Sequence, residues 1–114
     1  MTILYKSVRN NIILNSDVTL YTVPANTVTY LLGVLAVNFT NHSTPYPNSI
    51  GTLTMKLGGF HLFSKLRIPY ESSHEALNGQ KIMLNAGETI IIRGYDIPQV
   101  HNRLDLSVSL MEVS

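Results

Sequence analysis

The chain predicts an all-β fold, an antiparallel β-sandwich of roughly seven to nine short strands with jelly-roll connections. Three observations carry this. Turn signals punctuate the chain about every eight to twelve residues. No stretch sustains a helical period of apolar residues. Several runs, Thr52 to Gly58 and Leu104 to Val113 most plainly, alternate apolar and polar side chains one by one, as a half-buried strand does. At 114 residues there is room for one domain with a real core and not for two. The sandwich is expected over residues 17–114, with residues 1–16 as an N-terminal arm or edge strand.

Taken in order, Ile3 to Val8 alternates weakly and Ile12 to Leu14 is a short apolar run; both suit strands, or an arm lying on a neighbouring subunit. Asn15-Ser16-Asp17 is a turn cluster, since these side chains bond their own backbone. Val18 to Val23 is a strand ended by Pro24, which lacks the ladder donor. Val28 to Thr40 is the longest strand. Constant alternation puts Val28, Tyr30, Leu32, Val34 and Ala36 on one face and Leu31, Leu35, Val37 and Phe39 on the other. Apolar residues on both faces imply that both are covered. Gly33 near its middle signals a bulge or a close backbone approach.

Asn41 to Asn48, with two prolines, is an exposed loop. Thr52 to Gly58 buries Leu53, Met55 and Leu57 and exposes Thr52, Thr54 and Lys56. Gly58-Gly59 is a hairpin signal. In Phe60 to Ile68, alternation groups Phe60, Leu62, Leu66 and Ile68 opposite His61, Phe63, Lys65 and Arg67. In Glu71 to Leu77, Ser72 and Glu75 have the spacing of a capping box for one helical turn, although no apolar period follows. Asn78-Gly79 and Asn85-Ala86-Gly87 are turns flanking a strand at Lys81 to Leu84. Glu88 to Tyr95 is the next strand and Pro98 to Arg103 the last loop. Leu104 to Val113 then buries Leu104, Leu106, Val108 and Leu110.

Composition narrows the function by exclusion. Charged residues make up 13% of the chain, about half the usual share. Net charge is +1 without a basic run, which argues against a nucleic-acid partner. Weak repulsion between copies favours assembly. Cysteine is absent, so no thiol chemistry is available. Met1 to Asn11 lacks the pattern of a secretory signal, and the run Tyr30 to Val37 is far shorter than the roughly 20 residues of a membrane helix. The sequons at Asn38 and Asn41 are read as coincidence.

Catalytic and metal motifs are not evident. A cupin-like metal site needs two histidines one residue apart on a strand, but Phe63 stands two places after His61. His74 and Glu75 are adjacent and would point to opposite faces of a strand. A chance convergence of His61, His74 and His101 is the remaining metal reading. Glu71, Glu75, Glu88, Asp96 and Asp105 read as solvated charges more readily than as a glycosidase pair. No Gly-x-Ser-x-Gly elbow exists. No cofactor is implied. Tyr46, between Pro45 and Pro47, is the best platform for a carbohydrate ligand; tyrosines on strands more often pack.

A resemblance adds a candidate function. Leu20-Tyr21-Thr22-Val23-Pro24-Ala25-Asn26-Thr27 leads into an apolar strand ending at Asn38. Ile68-Pro69 follows, then Leu77-Asn78-Gly79-Gln80-Lys81-Ile82 and Leu84-Asn85-Ala86-Gly87-Glu88-Thr89-Ile90. Together, from Asp17 onward, these resemble the small β-sandwich virion proteins of tailed bacteriophages, which decorate heads or build neck, tail and fibre parts. The resemblance implies a non-enzymatic structural protein located in the virion, with its own copies and other virion proteins as partners. It transfers no catalytic residue. The apolar side chains expected to remain outside the sandwich, and so to form the assembly interface, are Leu31, Leu35, Val37, Phe63, Met83, Ile91 and Met111.

Overall fold

A computed structural model of the chain describes residues 1–11, 16–38, 51–68, 72–77, 79–95 and 104–114. Among these, nine strands form two antiparallel sheets: β1 (Ile3–Asn11), β2 (Val18–Thr22), β3 (Val28–Asn38), β4 (Gly51–Leu57), β5 (Phe60–Ile68), β6 (Ser72–Glu75), β7 (Ile82–Leu84), β8 (Thr89–Tyr95) and β9 (Leu104–Val113). Sheet I has the order β1-β9-β3-β6, with the three-residue β7 also on β3; sheet II has the order β2-β8-β4-β5. Setting β7 aside, these facing orders are the two interlocked Greek keys of a jelly roll, as the strand spacing implied.

The core lies between the sheets. Leu31, Val34, Ala36, Leu106, Val108 and Leu110 come from sheet I and meet Leu53, Met55, Ile90 and Ile92 of sheet II, all buried. Polar links also cross the layer. Asn38 Nδ2 donates to the Ile68 carbonyl at 2.8 Å, so this sequon asparagine is committed inside the fold. Near the other end of β3, Tyr21 from sheet II reaches Glu112 and Thr29 of sheet I.

Where the chain departs from constant alternation, an extra residue is responsible. On β3, Leu31 faces Leu110 of β9 but Gly33 faces Ser109, so the register slips by one between them. The inward set therefore changes from Thr29 and Leu31 to Val34, Ala36 and Asn38. Leu31, expected outside, is 0% exposed. Val28 and Tyr30 are outside instead. Gly33 does mark a bulge, but a methyl group there would meet only ordinary contacts, the nearest being Glu75 Oε1 at 3.7 Å. The glycine is not needed for close approach. The Val34 N–H is taken up by Glu75 Oε1 at 3.0 Å.

Strand β5 slips twice against β4. Lys65 there has φ of 51°, a left-handed value uncommon for a side-chain-bearing residue, and its N–H donates to Thr54 Oγ1 at 2.9 Å. The slips scatter the expected buried set. Phe60 is 82% exposed, whereas Phe63, expected on the outside, packs against the core. The segment around Ser72 is the strand β6 and not a helical turn: β3 offers free ladder groups at Leu35 to Asn38, and Ser72 to Glu75 pair with them.

The two turn motifs of the resemblance meet at one end of the sandwich. Val23 N–H donates to the Glu88 carbonyl at 2.9 Å, and Gly87 N–H to the Val23 carbonyl at 3.0 Å. Gly87 adopts φ of 86°, a backbone state that glycine enters without steric cost. Glu88 Oε1 accepts the Asn85 N–H at 2.8 Å and closes the turn.

Candidate functional site

The outward side chains of sheet I can be read row by row from the ladder. Ile3 stands opposite Val113, and Val113 opposite Val28. The next outward row runs Tyr5, Met111, Tyr30 and Met83 across four strands. Tyr5 is 69% exposed and Met83 54%; Ile3 is also exposed, and Val28, Tyr30, Met111 and Val113 are half-buried. These seven neighbouring apolar or aromatic side chains form a stripe on one face of the domain. Fully covering one such side chain contributes about 1.5–3 kcal/mol, so a stripe of this extent marks a contact surface more readily than scattered exposed residues do.

Toward the other end of the same face the character changes. Ser7, Ser109 and Gly33 make a small-residue row. Beyond it Arg9, Leu35, Val37, Asp105 and Ser107 line an open concavity of about 540 Å³. Asp105 Oδ1 is buried there without a hydrogen-bond partner among the described residues.

Sheet II presents a different surface. Its outward positions include Thr19, Lys56, Ile91 and Arg93. Asp17 lies 3.5 Å from Arg93 Nη1 and 4.0 Å from Lys56 Nζ. Ile91 is half-buried among these polar chains.

Between the sheets, beneath the apolar stripe, sits the one described buried carboxylate, Glu112. Tyr21 Oη donates to Glu112 Oε2, and Lys6 Nζ lies 3.2 Å from Oε1. The Tyr21 hydroxyl, and secondarily Lys6, hold this carboxyl below the usual carboxylate range against the opposing effect of burial. Burial first, and the neighbouring Glu112 second, push the Tyr21 phenol up to about 12. The arrangement ties β1, β2, β3 and β9 together. It is a fastening between the two sheets.

The predicted interface residues therefore divide. Met83 and Met111 lie in the apolar stripe, and Leu35 and Val37 at the concavity on the same face. Ile91 is outward on the opposite sheet, while Leu31 and Phe63 belong to the core. Constant alternation missed Val28 and Tyr30 because it ran through the bulge, and Gly33 was the signal of the change. Ile3 and Tyr5 were legible as alternating residues but lacked an assigned sheet. Tyr46, His42 and His101 lie outside the described residues; His61 and His74 are exposed on different sheets. Among the described residues no group of three His, Cys, Asp or Glu side chains is placed to hold a metal ion. No described helix is long and apolar enough to cross a membrane. The chain matches no protein-family model, and no curated protein is similar to it.

Proposed function

We propose that the chain is a non-enzymatic structural protein of a bacteriophage virion, a head-decoration or tail and neck accessory subunit that acts by packing against other virion proteins and its own copies. The observation that carries this reading is the apolar stripe of Ile3, Tyr5, Val28, Tyr30, Met83, Met111 and Val113 on one outer face of the jelly roll. The resemblance of the turn motifs to small phage sandwich proteins supplies the setting. Fold alone does not assign it, since jelly rolls host many functions.

Mass spectrometry of purified phage particles encoding this chain tests the reading. The expected result is a peptide set present at a fixed stoichiometry to the major head or tail protein. Particles that lack the chain, or hold only trace amounts lost on a further density gradient, refute it.

A further inference from the structure

The four sheet edges are built differently. β6 and β7 are four and three residues long. β5 carries two register slips and exposes His61, Lys65 and Arg67. β2 is five residues long and slips against β8. Shortness, bulges and edge charges are the devices that stop strands from recruiting another chain. β1 is nine residues long and pairs with β9 in unbroken register from Ile3 to Asn11. Among the described residues, its other side pairs with nothing.

The free hydrogen-bonding groups on β1 can be assigned. Thr2 and Ser114 exchange both backbone bonds, at 2.8 and 2.9 Å. In an antiparallel ladder such pairs alternate, so even-numbered residues of β1 bond β9. The N–H and C=O groups of Ile3, Tyr5, Ser7, Arg9 and Asn11 then point outward along the edge.

We infer that β1 pairs antiparallel with β1 of a second copy, about a two-fold axis through Ser7, joining two copies of sheet I into one continuous sheet. That register sets Ile3 against Asn11, Tyr5 against Arg9, and Ser7 against Ser7, so every outward-pointing backbone group named above meets its equivalent. It is the register with the greatest overlap. It also fits the charges: Lys6 faces Val8 of the other copy, and Arg9 faces the ring of Tyr5, a favourable cation–π arrangement. Slipping the axis to Lys6 would set two lysines directly opposite each other. A strand of the same chain therefore complements this edge better than an arbitrary peptide would.

The consequence for the proposed function is geometric. A two-fold axis normal to a continuous sheet turns both apolar stripes toward the same side, so one dimer offers two contact surfaces to one underlying particle. The pairing itself stands on the backbone of β1; only its purpose rests on the proposed function.

Light scattering of the whole chain at micromolar concentration is expected to give twice the chain mass. Ser7→Pro removes an outward N–H without touching the β9 ladder and should halve that mass while the circular dichroism spectrum stays that of a sheet protein. Ser7→Lys keeps every backbone bond, places two like charges on the axis, and should also halve it. Because the chain lacks cysteine, a spin label on Ser7→Cys is unique and should show strong dipolar broadening, whereas one on Lys81→Cys should not. A single-chain mass for the parent overturns the inference. So does a dimer that survives both Ser7→Pro and Ser7→Lys. A dimer lost only on Met111→Lys overturns the edge and leaves the outer stripe, and with it the proposed function, standing. An edge dimer never found in particles supports the pairing and refutes that function.

Discussion

On sheet II the described side chains turned away from the core include threonines, His61, Arg67, Lys56 and Arg93, the last two with Asp17 beside them, and one isoleucine. On sheet I the equivalent positions, at the end nearer Thr2 and Ser114, are two tyrosines, two methionines, an isoleucine and two valines. Both sheets follow the same period of two, and both give their inner faces to one core. The difference lies wholly in what was left over. A sandwich needs only one apolar face per sheet, so sheet II shows what stability alone requires. The extra apolar surface of sheet I is the part that stability does not call for, and it is the feature on which the proposed packing role rests.

The largest effect expected from this contrast is on assembly. Under the proposed function, Met111→Lys puts a charge in the middle of the stripe and should lower the copy number in phage particles about tenfold or more, the equivalent of at least 1.4 kcal/mol of contact energy. Ile91→Lys, on the opposite face, should leave that number unchanged. Quantitative mass spectrometry of the particles reads both, and equal losses would erase the distinction between the faces.

Within one strand the contrast is sharper still. Leu31→Ala empties a fully buried site and should cost about 2–5 kcal/mol, whereas Leu35→Ala, at a position 41% exposed, should change stability by less than about 1 kcal/mol. Urea unfolding of the two variants measures the difference; similar losses would place both leucines in the same environment.

A smaller effect concerns the fastening between the sheets. Tyr21→Phe leaves the buried Glu112 carboxylate without its hydroxyl donor and should cost about 1–3 kcal/mol. The pH dependence has two limbs. Because the folded protein holds Glu112 below its ordinary value of 4.5, its contribution is present above that value and is lost as pH falls through the lowered folded one. Tyr21 is raised from 10.0 to about 12, so its contribution is present below 10 and disappears as pH climbs between the two values. Thermal melts across pH should show both limbs in the parent, with the alkaline one absent from Tyr21→Phe. The smallest effect belongs to Gly33→Ala, whose added methyl meets only ordinary van der Waals contacts and which should shift stability by no more than about 0.5 kcal/mol.

Much of the fold was legible because its signals are local. Leu53, Met55 and Leu57 are buried as expected, but Thr54, expected outside, is buried too, because the left-handed Lys65 brings its N–H onto the Thr54 hydroxyl. Pro24, the Gly58-Gly59 pair and Gly87 sit at the turns they announced. The candidate surface was half legible. Met83 and Met111 were found because alternation holds through their strands, while Leu31 and Phe63 were misassigned because extra residues in β3 and β5 reverse it. Gly33 announced the bulge in β3, but the residue at which the faces exchange depends on what the neighbouring strand offers, and one strand's sequence does not contain that information. The same limit applies to Ser72 and Glu75, where pairing with β3 replaced a local helical turn.

The slip in β3 also has a use at the bench. Thiols introduced one at a time along the strand should react readily at Val28 and Tyr30, fall silent at Leu31, and react again at Leu35 and Val37. The reactive positions thus pass from even numbers to odd. Such a phase change would locate the inserted residue without coordinates, and would show how a single added amino acid lets one ribbon switch which of its sides meets the outside world.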